Sequence, residues 1–397
     1  MARISASDPI VILSSARTPM GALSGALADA SATDLGAAAA KAALERAGVS
    51  GADIERIYMG CVLPAGLGQS PARQVALKSG MPISVEATTV NKVCGSGMQT
   101  VIMGAEALAA GSVDLILAGG MESMTNAPYL LKKHRSGARA GHDTVYDHMF
   151  LDGLEDAYEG ASMGSFAQEV ADEYQLTRAD QDAYAIESLA RAQAAIASGA
   201  FAEEVAPVTL KTRSGEVVVD TDEGPGKGRP DKIPTLKPAF AKDGTITAAS
   251  SSSISDGAAA VVLTRASVAK ARGLTPVARI VAIAAHAHDP KHFTTAPVPA
   301  ITKLLASAGW SIADVDLFEI NEAFACVAMF AMRDLGIPHD KVNVNGGATA
   351  LGHPIGASGT RIITTLISAL KARGLTKGVA SLCIGGGEAT AIAIELV

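Results

Sequence analysis

Short apolar runs alternate with Ala-rich stretches of helical periodicity along most of the chain. Strands are predicted at Ile10–Ser14, Arg56–Gly60, Leu115–Ala118, Val342–Val344 and Gly378–Ile384. Helices are predicted at Ser31–Ala47, Gly97–Ala110, Phe324–Leu335 and Gly359–Arg373. This alternation is typical of βαβ units, so we predict an α/β fold with mostly parallel sheets covered by helices.

One pattern occurs twice in the chain. The stretch Leu44–Ile57 resembles Leu305–Phe318 at a constant offset of 261 residues, and each is an Ala-rich helix that ends at a glycine before a β-rich run. A second match, Asp114–Gly120 with Val379–Gly386, follows in the same order. Duplication of one α/β unit explains both matches, and chance similarity between Ala-rich helices is the alternative.

Residues 124–254 interrupt the repeat. They contain a basic run at Leu131–Arg139, an amphipathic helix predicted at Arg178–Ser198, and a Gly/Pro-rich loop at Asp222–Asp231. The first half resumes near Asp256. We therefore predict an N-terminal core half formed by residues 1–123 with 255–275, an inserted loop domain over 124–254, and a C-terminal core half over 276–397.

Composition narrows the possible functions. Hydrophobic residues make up 48% of the 397 residues and charged residues only 18%, which excludes a disordered chain. The low charge content also suggests that some of the surface is buried between subunits. The net charge of −7 argues against a nucleic-acid partner, and four cysteines are too few for a disulfide scaffold. No run of about 18 apolar residues predicts a membrane span, and the N-terminal residues lack a signal-peptide pattern, so we expect a cytoplasmic protein without a membrane partner.

Cys94 is the first candidate for chemistry. It lies in Val90-Asn-Lys-Val-Cys-Gly-Ser-Gly-Met98, where a strand enters a Gly turn and then a helix. A thiol at a helix N-terminus is expected to have a lowered pKa, because the helix dipole and free N–H groups favour the thiolate. A nucleophilic role and a buried, unreactive cysteine both fit this local pattern.

Three further polar positions stand beside Gly-rich turns or strand ends. His353 lies in the Gly-rich stretch Val342–Arg361 and fits a base or an oxyanion donor, whereas a phosphate-cradling loop is the alternative. Cys383 ends a strand before three glycines, whose N–H groups fit an oxyanion hole. Asn321 follows the strand Leu317–Ile320, at the strand end where ligand sites of α/β folds lie.

Cys94, Asn321, His353 and Cys383, with these flanks, together resemble the thiolase family over the whole chain. Ser15-Ala-Arg-Thr-Pro19 and Gly119-Gly-Met-Glu-Ser123 add to the resemblance. It implies a duplicated thiolase fold with a five-layered αβαβα core and an inserted loop domain, assembled as a homotetramer of two tight dimers. It also implies an acyltransferase that condenses two acetyl-CoA reversibly to acetoacetyl-CoA plus CoA through an acetyl-Cys94 intermediate.

The resemblance also implies roles for individual residues. Cys94 takes the acyl group, His353 activates it, and Cys383 moves protons at the α-carbon or the leaving group. His353 lines one oxyanion hole with a water held by Asn321, and the N–H groups of Cys94 and Gly385 form a second. Glu322 is expected to support the site. The implied contacts to the coenzyme A thioester are Leu154, Met163, Phe240, Ser252, Ala323, Phe324 and Phe293.

Carbon–carbon thioester exchange fits these groups, because it needs a soft nucleophile, a second acid–base group and two oxyanion sites. We expect no cofactor besides the coenzyme A thioester substrates and no metal, since no Cys/His spacing is typical of a zinc site. No tyrosine lies in the 222–231 loop, where potassium-activated relatives have one, so no potassium site is expected.

Two departures put the substrate range in question. Ser162 stands where short-chain thiolases typically have His before Met163, and Phe293 stands where several have Met. A 3-ketoacyl-CoA thiolase of broader chain length is therefore the alternative within the family. From another class, an inactive thiolase-like lipid carrier or scaffold protein is the alternative. A ketoacyl synthase fits less well, because Cys383 occupies the place of a base.

Overall fold

The computed structural model describes residues 7–212 and 215–397. The strands are β1 (Ile10–Arg17), β2 (Gly21–Ala22), β3 (Arg56–Gly60), β4 (Glu86–Val90), β5 (Leu115–Ser123), β6 (Tyr129–Leu130), β7 (Tyr146–Asp147), β8 (Val208–Thr212), β9 (Gly215–Val219), β10 (Ser255–Arg265), β11 (Ala278–Ala287), β12 (Leu317–Ile320), β13 (Lys377–Ile384) and β14 (Glu388–Leu396). The helices are α1 (Ala32–Ala47), α2 (Pro71–Lys78), α3 (Ser96–Ala109), α4 (Met163–Glu173), α5 (Arg178–Ser198), α6 (Glu223–Lys227), α7 (Ala266–Arg272), α8 (Pro297–Ala308), α9 (Ala325–Leu335), α10 (Ala348–Leu351) and α11 (Ser358–Arg373). Over the described ranges, none of the helices is both long and apolar enough to cross a lipid bilayer.

The main sheet shows the duplication directly. Its strand order is β12-β13-β14-β11-β1-β10-β5-β3-β4, so the order β1-β10-β5-β3 of the first half is repeated as β11-β14-β13-β12 in the second. The two halves meet where β1 pairs with β11 through only two residue pairs, Val11 with Arg279 and Ile12 with Ala278. This short junction links two half-sheets of equivalent topology.

The repeat predicted from the sequence is confirmed in its local geometry. Helix α1 ends at Gly48 with φ of 66°, and α8 ends at Gly309 with φ of 69°, both in the left-handed region that glycine tolerates. Each is followed by a 3₁₀ turn with a Ser–Asp capping box, at 50–53 and 311–314, and then by a core strand.

The prediction of mostly parallel sheets was wrong. Parallel pairing is found for β3 with β4, β3 with β5, and β12 with β13, whereas the other pairs of the main sheet are antiparallel. Strand β14 follows β13 after the short turn at Gly385–Gly387, and so short a turn can join only antiparallel neighbours. In the other half, β10 returns antiparallel to β5 after the long insertion.

Three of the hydrophobic clusters in the described residues hold the five layers together. Helices α1 and α2 pack on the first half-sheet, and α8 and α9 pack on the second. Between the half-sheets lie α3 and α11, whose apolar residues Val101, Leu108, Ile362 and Leu366 share one buried cluster with strands of both halves. The predicted αβαβα core is therefore confirmed, and the two central helices begin close to Cys94 and His353.

The predicted strand at Val342–Val344 is reduced to one bridge between Phe318 and Val342. Asn343 has φ of 48°, and its side chain takes the place of a strand partner. Its Oδ1 accepts the Ile320 N–H at 2.8 Å, and its Nδ2 donates to the Ile320 carbonyl at 2.8 Å. A side-chain amide that pairs in this way competes with a regular ladder.

The insertion packs on both halves of the core. Phe166 and Val170 of α4 join the buried cluster of the C-terminal half, and Val208 and Leu210 of β8 join that of the N-terminal half. The buried Arg17 side chain of β1 pairs with Glu204 and Asp222 of the insertion. The division into the three predicted units stays a prediction.

Candidate active site

Cys94 lies on a strained elbow between β4 and α3. Val93 has φ of 45°, which is rare for a β-branched residue. Two hydrogen bonds hold this conformation, from the Val93 N–H to Asn91 Oδ1 at 2.9 Å and from the Lys92 N–H to Ser96 Oγ at 2.8 Å. The elbow places the half-buried Cys94 just before the first turn of α3.

Glycines at the elbow allow the two halves to touch. A Cβ atom at Gly95 would lie 2.3 Å from Ile384 Cδ1, at the end of β13, and one at Gly97 would lie 2.9 Å from the Thr360 backbone nitrogen in α11. Any larger side chain would push these elements apart. Gly95 and Gly97 therefore bring Cys94 next to the segments that carry Cys383 and His353.

Burial dominates the protonation state of Cys94. It raises the pKa of the thiol to about 11, although the N–H groups of Gly385 and of Cys94 itself act in the opposite direction. The prediction that the helix N-terminus favours a resting thiolate was therefore wrong. Cys94 is a thiol at neutral pH, and it needs a base when it reacts.

Cys383 is the second sulfur of the site. It is 1% exposed near the end of β13, and burial together with the nearby Cys94 raises its pKa well above the usual range. The turn that follows contains Gly386 and Gly387 with φ of 90° and 83°, a conformation that side chains rarely adopt. The turn keeps the Gly385 N–H directed at Cys94.

The hydrogen bonds of His353 define its tautomer. Ser358 Oγ donates its hydrogen to the Pro354 carbonyl at 3.0 Å, and it lies 2.6 Å from His353 Nδ1. Because the hydroxyl has one hydrogen, both contacts are hydrogen bonds only when the hydroxyl accepts the proton of Nδ1, which leaves the lone pair on Nε2. Burial and the charge of Arg361 lower the pKa of His353 to about 3, so the ring is neutral at physiological pH.

Asn321 is placed beside His353. It follows β12, its backbone N–H donates to the Ser381 carbonyl at 3.0 Å, and the residue is 1% exposed. Its Nδ2 lies 3.4 Å from Nδ1 and 3.5 Å from Nε2 of the His353 ring. The structure therefore brings together the amide and the imidazole that the sequence singled out.

Glu322 anchors the loop next to this pair. Its fully buried carboxylate accepts hydrogen bonds from Tyr184 at 2.9 Å, Ser188 at 2.8 Å and Asn343 at 2.8 Å. It also accepts the hydroxyl and the backbone N–H of Thr349 at 2.6 and 3.1 Å. These bonds join α5 of the insertion to the loop that leads to His353, in line with the supporting position expected for Glu322.

Met163 and the aromatic residues line one wall of the site. A Cβ atom at Gly385 would lie 3.8 Å from Met163 Sδ, so the first residue of α4 stands over the Gly turn. The Phe240 ring lies 5.8 Å from that of Phe324, and the Phe293 ring 6.2 Å from Phe324, both in edge-to-face geometry. The wall is apolar, as a pantetheine or acyl chain requires.

The remaining expected contacts occupy two places beside this wall. Ser252 donates through Oγ and its backbone N–H to the Ala323 carbonyl, at 2.9 and 3.0 Å. Leu154 ends a π-helical turn and packs on the apolar cluster of Val62 and Ile355 that Cys94 also contacts. All the residues chosen from the sequence thus lie at or around one site.

Sequence reasoning assigned no role to three buried residues of the site. Ser358 and Arg361 follow His353 in the same Gly-rich motif, which was the available signal. Glu122 lies in the Gly119–Ser123 motif, is fully buried, and accepts the N–H groups of Val62, Leu63 and Gly356 at 2.9, 3.1 and 2.9 Å. Burial raises the pKa of Glu122 to about 7.

Comparisons with known proteins agree with this geometry. The family models described as "Thiolase, N-terminal domain" and "Thiolase, C-terminal domain" match residues 10–267 and 274–396. An acetyl-CoA acetyltransferase of Escherichia coli is 50% identical over 387 residues, covering 97% of this chain and 98% of its own, and one of Rhizobium meliloti is 48% identical with the same coverage.

Solved structures give the same result. The Bacillus anthracis acetyl-CoA acetyltransferase has a TM-score of 0.96 at 40% identity, covering 98% of this chain and 99% of its own. The Acat5 thiolase of Ascaris suum, solved in complex with coenzyme A, has a TM-score of 0.93 at 42% identity, covering 98% of this chain and all of its own. With both halves matched along their length, this chain is a member of the thiolase family.

Proposed function

We propose that the protein is an acetyl-CoA acetyltransferase that condenses two acetyl-CoA to acetoacetyl-CoA and CoA, and also catalyses the reverse cleavage. One observation carries the proposal: the Gly385 N–H faces the Cys94 sulfur, and Cys94 lies close enough to Cys383 to raise the pKa of the Cys383 thiol. A site with two neighbouring thiols and an oxyanion donor is suited to acyl transfer followed by proton abstraction. The relatives named acetyl-CoA acetyltransferase support the same activity.

The first step transfers the acetyl group to Cys94. The thiol proton moves to the free Nε2 of His353 as the sulfur attacks the thioester carbonyl. CoA then leaves as a thiol after taking up the proton of Cys383, which becomes a thiolate. Since the pKa of Cys94 is about 11 and that of His353 about 3, little thiolate exists before the attack. The proton transfer from Cys94 to His353 is uphill because of this difference in pKa. The N–H groups of Gly385 and Cys94 stabilise the oxyanion and so lower the resulting barrier.

The second step forms the carbon–carbon bond. Cys383, as thiolate, removes an α-proton from a second acetyl-CoA, and the carbanion attacks the acetyl-Cys94 carbonyl. The C–S bond to Cys94 then breaks, releasing acetoacetyl-CoA, and the Cys94 sulfur takes back its proton from His353. Burial makes the Cys383 thiolate a strong base because it raises the pKa of the thiol. The enolate oxygen of the second thioester accepts from Asn321 Nδ2 and from His353 Nε2, which still holds the Cys94 proton.

Substrate length follows from the wall at Met163. We propose that four-carbon substrates are preferred, because the Met163 side chain, next to Gly385, leaves little room beyond a short acyl group. The decisive experiment is a series of 3-ketoacyl-CoA thiolysis rates from four to sixteen carbons, with 2-methylacetoacetyl-CoA included. We expect acetoacetyl-CoA to react fastest and Met163→Ala to accept longer chains. Faster turnover of eight- to sixteen-carbon substrates by the native enzyme would favour the broader 3-ketoacyl-CoA thiolase instead.

Activity itself separates an enzyme from a lipid carrier or scaffold. Free CoA should be released when acetyl-CoA is incubated with the native protein, at a rate that Cys94→Ala abolishes. Binding of acyl-CoA without CoA release would identify a carrier and would contradict the proposed function.

We further propose a cytoplasmic homotetramer in which the tips of the insertion join two dimers. The low charge content and the exposed Tyr129 and Leu131, at 68% and 48% exposure, support an interface at these tips. Light scattering should give the mass of four chains. A monomer at micromolar concentration would contradict the assembly.

A further inference from the structure

Arg361 is a buried cation that takes no part in the proposed acyl transfer or proton transfers. It lies in the first turn of α11, eight residues after His353, and its side chain is 0% exposed. Burying an arginine costs desolvation free energy unless polar or charged partners surround the guanidinium.

Its contacts reach the strand that carries Asn321. Arg361 Nη2 donates to Asn321 Oδ1 at 3.2 Å, and Nη1 donates to Glu319 Oε2 at 3.4 Å. Residues 319 and 321 are two positions apart, which places both side chains on one face of an extended segment. The guanidinium therefore spans the end of β12 where the oxyanion donor projects.

This contact decides which way the Asn321 amide points. A guanidinium carries donors and no acceptor, so the amide atom that faces it must be the oxygen. Nδ2 is consequently directed to the other side, where it lies 3.4 and 3.5 Å from the two ring nitrogens of His353. The reversed amide would place N–H groups against the cation and a carbonyl against the developing oxyanion.

The hydrogen bonding between Arg361 and Glu319 is incomplete. Its Nε and the Glu319 Oε1 have no hydrogen-bond partner among the described residues. Burial raises the pKa of Glu319 to about 8, so much of this carboxyl is neutral at pH 7. Glu204 and Glu322 also act on the charge of Arg361, and this charge lowers the pKa of His353. A cation behind the Asn321 amide favours negative charge on the substrate oxygen that the amide faces.

We propose that Arg361 is a positioning residue that holds the Asn321 amide with Nδ2 toward the oxyanion. The inference rests on the proposed function, because Asn321 acts on an oxyanion only if the enzyme transfers acyl groups. Arg361 itself does not touch the reacting atoms.

The test compares two reactions of the enzyme. Exchange of the acetyl-CoA α-protons with solvent passes through the enolate whose oxygen Asn321 faces, whereas acetylation of Cys94 uses the N–H groups of Gly385 and Cys94. In Arg361→Met we expect α-proton exchange to fall by about 10²-fold, the usual cost of losing an oxyanion donor, with acetylation and the acetyl-CoA KM within about threefold of native. Arg361→Lys keeps the charge and one donor, and should recover part of the rate.

A double-mutant cycle with Asn321→Ala tests whether Arg361 acts through Asn321. If it does, Arg361→Met costs nothing further in the Asn321→Ala background, because the amide that it orients is gone. Arg373→Met is the matched control, since Arg373 Nη2 donates to Asn345 Oδ1 at 2.9 Å near the other end of α11. That variant should leave both reactions within twofold of native.

Several outcomes would overturn the inference. Losses of α-proton exchange that multiply in the double variant, or acetylation that falls in step with α-proton exchange, would make Arg361 a structural residue only. If Arg361→Met does not fold, the Lys variant decides the question, and equal effects on the two reactions would count against positioning. A native enzyme that acetyl-CoA does not label would refute the proposed function, whereas normal native labelling with an additive cycle would refute the role of Arg361 alone.

Discussion

The Glu122 carboxylate accepts the backbone N–H of Gly356 at 2.9 Å, although 234 residues separate the two in the chain. Glu122 is the penultimate residue of β5 in the first half, and Gly356 follows His353 in the second. The same carboxylate also accepts the N–H groups of Val62 and Leu63, next to the Cys94 cluster. One buried acid thus ties the loop after β3, whose Val62 and Leu63 belong to the cluster that Cys94 contacts, to the loop that carries His353.

Removing Glu122 should destabilise the fold. Glu122→Ala leaves three buried N–H groups without a partner, and each costs about 1–3 kcal/mol, so we expect the free energy of unfolding to fall by about 3 kcal/mol or more. Glu122→Gln keeps one acceptor oxygen and should lose less. Denaturant unfolding measures both variants, and an Ala variant as stable as native would show that the three bonds contribute nothing.

The pH dependence of stability isolates the charge of Glu122. Burial raises its folded pKa to about 7 from the usual 4.5, so the folded protein holds a proton that the unfolded chain has released between these values. The contribution of Glu122 is therefore complete below pH 4.5 and is lost as the pH rises through 7, with a slope of up to about 1.4 kcal/mol per pH unit. We expect native stability relative to Glu122→Gln to decline between pH 5 and 7. Parallel pH curves for the two proteins would contradict the raised pKa.

Ser358→Ala should slow the acetylation of Cys94 without changing the acetyl-CoA KM. The variant loses the acceptor of the His353 Nδ1 proton, so the ring is no longer held with Nε2 free. We expect a loss of up to about 10²-fold, the lower end of what a general base contributes. Ser79→Ala is the control, because Ser79 is also buried and donates to a helix carbonyl, that of Val75, at 2.7 Å. Equal rates in both variants would remove Ser358 from the mechanism.

Charge near the insertion tip should steer coenzyme A. The basic run Lys132, Lys133, His134 and Arg135 is exposed, and the CoA phosphates are anionic. Neutralising all four should raise the KM for acetyl-CoA at low salt, with the difference vanishing as salt screens the charges. Glutamine at Lys41, Lys270 and Arg272, on α1 and α7, removes as much formal charge elsewhere and should leave the KM unchanged. A KM that does not change at any ionic strength would show that the basic run does not attract coenzyme A.

The sequence predicted most elements because their signals are local. Helix α5 has the predicted bounds Arg178–Ser198, and α3 begins one residue from the prediction, since glycines and apolar spacing mark both. Strand direction has no local signal in the sequence. Nothing in the 131 residues between β5 and β10 reveals that β10 pairs antiparallel with β5. The Val342–Val344 run lacked regular pairing because the Asn343 side chain bonds where a ladder would form.

The site was predictable to the same extent. Cys94, His353 and Cys383 stand in Gly-rich motifs that mark them in the sequence. Glu122 and Arg361 were not predictable in this way, because their partners are distant in the chain: Glu122 accepts from backbone groups of distant loops, and Arg361 donates to a side chain 40 residues away. The pKa of Cys94 was mispredicted for a related reason. A helix terminus is visible in the sequence, but the burial that outweighs it arises only when the two halves close on the elbow.

The two sulfurs should divide the reaction between them. Cys94, which the Gly385 N–H faces, should carry the acetyl group, and Cys383, buried among apolar residues, should handle the α-proton. Acetyl-CoA should therefore leave one acetyl group, on Cys94, and Cys94→Ala should abolish labelling and turnover together. Cys383→Ala should still be acetylated, but should lose α-proton exchange and condensation by about 10²–10⁴-fold, the contribution of positioned acid–base catalysis.

The other two cysteines provide the control for this division. Cys61 and Cys326 are fully buried, and burial raises the pKa of each thiol far above neutrality, so Cys61→Ala and Cys326→Ala should change stability and leave the labelling pattern intact. Peptide mapping by mass spectrometry distinguishes all four sulfurs. A Cys383→Ala variant with near-native condensation would contradict the role of Cys383. An acetyl group on Cys383 of the native enzyme would contradict the role of Cys94, because the Gly385 N–H would then face a sulfur that does not form the thioester.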